Sequence, residues 1–363
     1  MPDAGQAPAV YSSRPVLTVS GQSQPLLAER VLELVVEEST EGLYRAEITL
    51  SNFDKPSPGA SVGFLYFDRK LLDFGAPLTI QMGGGIAQAS IFSGRIMALE
   101  ARFPHLRPPE ILIRAEDRLQ DLRMTRRTRT FENTNDSTLF QQIASQQGLQ
   151  ANIDVSGPAY KVLAQVNQSD LAFLRERARA VDAELWVDDK QLNVVMRSKR
   201  SANQMTLTYG QGLFEFSASA DLAMQSTGFS VSGWDVASKQ PVSYRATSSA
   251  LGGELNGDTG GSSILQQAIG QRDQQVVHSL PFTQDEAQAS AEAFYRRWAR
   301  RFVTGSGTAD GDGRIQVGTR LTLQQLGPLF NGTFYVTGVR HMFDQMNGYR
   351  TWFAVERAGI GSP

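Results

Sequence analysis

Apolar and polar positions alternate with period two along most of the chain, the signature of half-buried β-strands. The alternation is cleanest near the end. There Tyr349, Thr351, Phe353 and Val355 point one way, and Arg350, Trp352, Ala354 and Glu356 the other. Together with residues 330–343 this stretch predicts two long strands joined by a turn at Asp344, Asn347 and Gly348, residue types that tolerate left-handed backbone. Further strands are expected at 16–19, 31–38, 44–51, 78–82, 86–92 and 204–209, and over much of 213–246.

An earlier stretch, 92–116, repeats the plan of 330–357. Each opens Phe-x-Gly (Phe92 and Gly94; Phe330 and Gly332). Each runs to a Phe (Phe103; Phe343), turns, and returns on a shorter strand ending in Ala115–Glu116 or Val355–Glu356. Each is preceded by a strand. We read one β-module used twice. Aligning the return strands by their shared Glu puts Ile111, Ile113 and Ala115 on the inner face beside Thr351, Phe353 and Val355. Leu112 and Trp352 then share the outer face. A large apolar residue there in both copies implies a covered face, either by the chain's own loops or by a neighbouring subunit or tube.

The period changes in the middle. Residues 137–147 predict a helix with Asp136 as N-cap, a buried stripe of Leu139, Phe140, Ile143 and Ala144, and a left-handed cap at Gly148. A second helix is expected at 170–181, capped by Ser169, followed by a hairpin at 184–196. Residues 251–263, rich in glycine, read as a flexible loop. A third helix begins at the capping box Thr283–Glu286 and turns Ala287, Ala291, Phe294, Trp298 and Phe302 to one face.

These patterns divide the chain into a flexible arm at 1–13, a tube-like β-domain at 14–116 and an α+β domain at 117–199. A second tube-like β-domain follows at 200–363, with the Gly-rich loop 251–263 and the helix 284–302 inserted. The expected fold class is mainly β: two antiparallel barrel or sandwich domains flanking a small α+β domain.

Composition narrows the function. With 363 residues, 41% hydrophobic and 20% charged, the chain can build real cores. Its net charge of −2 supplies no basic field for nucleic acid or anionic membrane. The absence of cysteine removes disulfides and thiolate chemistry and fits assembly in a reducing bacterial cytoplasm. No apolar run is long enough to span a bilayer, so this chain is not expected to insert into a membrane, and the N-terminus has no signal-peptide pattern.

Catalytic chemistry finds little support. The three histidines, His105, His278 and His341, lie on separate segments and suggest neither a zinc site nor a triad. His341 is expected to cap a strand end or make an interface hydrogen bond. Asp310-Gly-Asp-Gly reads as a turn, because Leu321 stands where an EF-hand needs Glu. Gly83–Gly85 lacks the Gly-Lys-Ser/Thr of a phosphate loop. The run Arg114, Arg118, Arg123, Arg126, Arg127, Arg129 is either a solvated edge or a basic patch at a subunit contact or lumen. No cofactor, metal ligand or catalytic residue is expected.

Residues 166–195, VNQSDLAFLRERARAVDAELWVDDKQLNVV, resemble the phage late-control D and VgrG family of tail hubs, with their Ser-Asp-Leu-Ala-Phe-Leu helix and aromatic-bearing hairpin. Residues 131–149 resemble the helix that precedes it there. Residues 312–357 resemble the family's closing region, with its Gly-Asp-Gly turn, a strand ending Val-Arg-His and a Gly-Tyr-x-Thr strand. The resemblance implies a non-enzymatic baseplate hub of a contractile phage tail or injection system. Three chains would form a ring under a six-fold tail tube and seat a three-fold spike. Its partners would be two further copies, the tube protein, a spike on a separate chain, other baseplate proteins, and cargo or DNA passing the lumen. The chain stops soon after the last hub strand, so a hub without a needle is expected. Leu112, Trp352, Arg126, Arg127 and His341 are the expected assembly contacts. The alternatives are a tail-associated cell-wall hydrolase and a carbohydrate-binding β-protein.

Overall fold

The computed structural model describes residues 14–54, 63–83, 88–277 and 280–362. The expected arm at 1–13, most of the turn at 54–59, Gly84, Gly85 and His278 lie outside them. The chain is mainly β, as its alternation predicts.

Six strands make the first β-unit: β1 (Val16–Val19), β2 (Val31–Ser39), β3 (Arg45–Ser51), β4 (Pro77–Met82), β5 (Ala89–Arg102) and β6 (Glu110–Glu116). They pair in the order β1-β4-β5-β6-β3-β2 around a core that includes Leu34, Ile48, Ile80 and Ile113. A middle section follows. It holds α1 (Leu119–Arg123), β7 (Arg126–Asn135), α2 (Asp136–Gln146), β8 (Gln150–Asp154), β9 (Ala159–Ser169), α3 (Asp170–Ala180), β10 (Ala183–Asp188) and β11 (Gln191–Met196). Its own core packs Leu139, Phe140 and Ile143 of α2 with Leu171 and Leu174 of α3 against Leu192 and Val194.

The chain then returns to β with β12 (Gln204–Tyr209) and β13 (Gly212–Ala220). An excursion carries β14 (Gly228–Asp235), β15 (Gln240–Ala246), α4 (Gly261–Ala268), β16 (Asp273–Val276) and α5 (Gln284–Ala299). The second β-unit is completed by β17 (Val303–Asp310), β18 (Arg320–Gln324), β19 (Gly332–Asp344) and β20 (Gly348–Arg357). Its six strands close on themselves in the order β12-β13-β17-β20-β19-β18. This is a closed barrel, although β12 pairs in parallel with both β13 and β18, where all-antiparallel pairing was expected.

The duplication extends beyond the hairpins. The six strands of each unit follow one another in the same chain order, and matching pairs are neighbours in both: β4–β5 and β18–β19, β5–β6 and β19–β20, β6–β3 and β20–β17, β3–β2 and β17–β13. The hairpins match residue by residue. Arg95 faces Glu116 and Tyr335 faces Glu356. Each long strand then bulges by one residue, at Met97 and at Thr337, before Glu100 faces Leu112 and Arg340 faces Trp352. A shared bulge fixes the register of both copies, since a slip of one residue would invert every side chain. The alignment through Glu116 and Glu356 therefore holds. The Phe-x-Gly alignment is two residues out: Phe92 corresponds to Gly332, not to Phe330. The units are joined edge to edge, with β2 running antiparallel to β19 from Ser39–Gly338 to Glu33–Asp344.

Local differences from expectation have local causes. Asn135, not Asp136, caps α2, accepting from the Thr138 N–H, while Asp136 sits in the first turn and binds Arg177. Gly148 at φ +65° ends the helix and Leu149 donates back to Ala144 O, as a left-handed cap requires. The glycine-rich 251–263 stretch, expected as a loop, is built into secondary structure. It forms the second of two short 3₁₀ turns that meet at a kink at Gly252 within Ser248–Leu255, a two-residue strand paired with Gly359–Ile360, and the start of α4. A Cβ at Gly261 would lie 2.6 Å from the Phe302 ring, so glycine there serves close packing. On α5 the buried stripe is Ala287, Ala291, Tyr295 and Ala299, with Phe294 and Trp298 half-buried beside it. Small residues bring the helix close to β14 and β15, and the large ones border surface clefts.

Candidate assembly interface

The expected contacts fall in different environments. Trp352 is half-buried on the outer face of β20, beneath the Arg340 guanidinium 5.3 Å from its ring, and lines a cleft of about 490 Å³. Leu112, its equivalent in the first unit, is only 2% exposed. Its face is covered within the subunit, so it is not a surface contact. His341 is fully buried as well, which rules out an interface hydrogen bond. Its Nδ1 lies 2.8 Å from the Tyr349 hydroxyl and 3.4 Å from that of Thr351, and its Nε2 has no partner. Burial lowers its pKa to about 4, so the ring is neutral near pH 7.

The arginine run is largely consumed inside the chain. Arg114 pairs with Glu47 and Glu100, and Arg123 with Glu116. Arg127 and Arg129 converge on the buried Asp170 at 3.3 and 2.7 Å, fixing the β7–β9 ribbon to the start of α3. Arg126 is exposed and donates to Asn167 O. A basic patch of six arginines is therefore not presented.

Pattern reading missed a buried polar junction where the middle section meets both β-units. Glu184 on β10 accepts from Arg200 at 2.9 Å and from the Tyr335 hydroxyl at 2.6 Å. Arg200 also donates to the Tyr44 hydroxyl at 3.1 Å, with its guanidinium 3.9 Å from the centre of the Trp186 ring. Arg197 binds Glu356 at 2.5 Å. Arg300, just past α5, grips Asp182 at 2.5 and 2.8 Å and Glu254 at 2.7 Å. Residues from both β-units, the middle section and the excursion thus meet in one network. The available signal was Glu184 itself: a carboxylate within the apolar run Ala183–Val187 must be buried with a partner.

Two more buried carboxyls border this junction. Burial raises Glu38 to about 7, against the Val317 N–H and Arg200, which favour its charged form. Burial likewise raises Asp117 to about 7, although it accepts from the Tyr44 and Leu119 N–H groups. Both line a cavity of about 460 Å³ with Trp186 and Lys199. Both Asp117 oxygens and Oε2 of Glu38 accept from backbone N–H groups, which makes them braces for loops. Among the described residues there is no cluster of three or more His, Asp or Glu that could hold a metal ion. At the Asp310–Gly313 turn, Asp312 is taken up by Arg314.

The fold is shared with phage-tail and secretion-system proteins. A prophage MuSo2 43 kDa tail protein from Shewanella oneidensis superposes with a TM-score of 0.69 at 13% identity, over 95% of this chain and 98% of that one. A tail protein from Neisseria meningitidis MC58 gives 0.69 at 14% identity, over 97% and 98%. An Escherichia coli component of the type VI secretion system gives 0.58 at 12% identity, over 96% and 79%. No curated protein matches the sequence. The family model described as the Alg8 N-terminal domain matches residues 15–345, nearly the whole chain. The chain belongs to the Alg8 N-terminal domain family.

Proposed function

We propose that this protein is a non-enzymatic hub subunit of a contractile phage tail or a related injection apparatus. Three copies form a ring that presents six similar β-units to a six-fold tube and a three-fold face to a spike. The observation that carries the reading is the duplication: two six-strand units with the same chain order, four matching pairs of neighbours and the same bulge. Two equivalent modules per subunit reconcile three-fold with six-fold symmetry, which a single module does not. The whole-length likeness to tail proteins supports it.

The ring is held by lateral contacts between rigid subunits. Rigidity comes from the junction around Glu184 and Arg200, which ties both β-units to the middle section. The tube protein, spike, other baseplate proteins and passing cargo are the partners this reading assigns. The test is the mass of the purified full chain at micromolar concentration, alone and with its spike. The expected mass is three subunits under at least one condition. A strict monomer under both contradicts the ring.

A further inference from the structure

We propose that the arginine-rich cleft between α3 and α5 is a docking site for an acidic segment of another protein. The cleft measures about 530 Å³. Six arginines line it: Arg175, Arg179, Arg197, Arg297, Arg300 and Arg301. Four carboxylates face them, Glu41, Asp182, Glu184 and Glu356. Arg300 is held by Asp182, Arg197 by Glu356, and Arg179 by Glu41.

The remaining three arginines have no ion pair to a carboxylate among the described residues. Arg175 donates instead to two backbone carbonyls, Glu41 O at 2.6 Å and Gly42 O at 3.2 Å. Arg297 donates to Arg179 O at 3.2 Å and packs over Phe294. Arg301 lies over the Trp298 ring, 5.7 Å from its centre. Burial and neighbouring arginines hold the pKa of both Arg175 and Arg297 below the usual arginine value. Glu41 offsets part of this at both arginines, with Asp117 at Arg175 and Asp182 at Arg297. None of these carboxylates forms a direct ion pair with either, so the repulsion between neighbouring cations is only partly compensated in the unoccupied cleft. A bound carboxylate removes that repulsion, and the planar guanidinium fork is matched to it. Neutral carbonyl contacts position Arg175 and Arg297 without neutralising them, so the site is preorganised.

The ends of α3 and α5 explain why single arginines are favoured at Arg179 and Arg297. They do not explain Arg175, a turn earlier, or Arg301, beyond the helix. The balance of charge selects the occupant. Six cations line the cleft with four anions, and Glu254 holds Arg300 from outside the lining, so a small positive excess remains, which suits one or two side-chain carboxylates. The four resident carboxylates would repel a continuous phosphate backbone. The cleft also runs on into the one beneath Trp352, sharing Glu41, Arg175 and Thr337 with it. An extended peptide can place acidic side chains at the arginines and an apolar one on the indole. The cleft is built within one subunit, so peptide binding there does not require a ring.

The test is binding of a fluorescently labelled, otherwise neutral peptide carrying two glutamates and one leucine to the full chain at low and high salt. Saturable, salt-sensitive binding is expected, weakened about ten-fold or more in the Arg175→Gln/Arg297→Gln/Arg301→Gln variant. Removing three charges elsewhere, in Lys190→Gln/Lys239→Gln/Arg272→Gln, should leave it within about two-fold, which separates the site from net charge. If the triple cleft variant does not fold, Arg301→Gln alone, at an exposed position, should weaken binding about three-fold. Absence of saturable binding by the native chain overturns the proposal, as does native affinity in the folded cleft variants. An oligothymidylate of equal charge binding as tightly as the peptide overturns the assignment to a protein partner.

Discussion

Glu38 illustrates how a single buried group sets a pH dependence. Its carboxyl lies at the edge between the β-units, accepting from the Val317 N–H at 3.2 Å. It ionises near 4.5 in an unfolded chain but is raised by burial to about 7 in the folded one. Between those values the folded state holds the extra proton, so this group makes the protein less stable as pH rises from about 4.5 to 7. Asp117 acts in the same direction. His341, lowered from 6.5 to about 4, acts oppositely: its contribution is lost as pH falls through that window. In Glu38→Gln, which keeps an acceptor for Val317, thermal melts should match the native protein near pH 4.5 and exceed it at pH 8, by roughly 1–3 kcal/mol. Equal melting at both pH values would mean Glu38 is ionised in the fold.

Glu184 carries a larger effect. Removing it strands Arg200 and the Tyr335 hydroxyl in a buried site, so Glu184→Ala should lower unfolding free energy by about 3–5 kcal/mol in denaturant titration. A loss below about 1 kcal/mol would show that the junction is solvated. These residues were the least legible in the sequence. Alternation identifies which face of a strand is buried, but not which distant strand supplies the partner, and Tyr335 lies 151 positions from Glu184. Leu112 and His341, expected among the assembly contacts, differ for the same reason: both are buried by neighbours of the same chain that alternation does not reveal.

At the scale of elements, the duplicated hairpin was legible because register and bulge are set locally, by alternation and strand length. Comparison of the return strands paired Leu112 with Trp352, and the observed register pairs them too. Elements whose form depends on packing were less legible. The glycine-rich stretch at 251–263 looks flexible by composition, yet its glycines allow close contact with Phe302 and Leu255. Gly42, in the loop between β2 and β3, shows the same logic. It has φ +64°, and a Cβ there would come within 2.6 Å of Leu185 O and 2.9 Å of the Leu119 side chain. The loop therefore lies directly on β10 and α1, and it offers its carbonyl to Arg175. Gly42→Ala combines left-handed strain with a backbone clash and should cost about 2–4 kcal/mol. Denaturant midpoints measure this. An unchanged midpoint would mean the loop lifts away freely from the middle section.

At the scale of the molecule, the fold class was legible because two periods, two and 3.6, segregate along the chain. The way the units join was not. One continuous sheet runs through the twelve strands of both, because β2, at the edge of its own unit, pairs with β3 on one side and with β19 of the other unit on the other. Edge-to-edge pairing fixes the two units rigidly, which a ring of alternating modules requires. It also leaves the two units unequal: the second closes through β12 and β13, while the first uses β2 for the junction. A ring built from such subunits is three-fold in sequence and only approximately six-fold in shape.

Single-particle imaging of the assembled particle reads that symmetry directly. One ring of three copies is expected at the end of the tube, its six β-units alternating between first and second around the axis, with the spike on the opposite face. A ring of six copies, or a single copy off the axis, would contradict it.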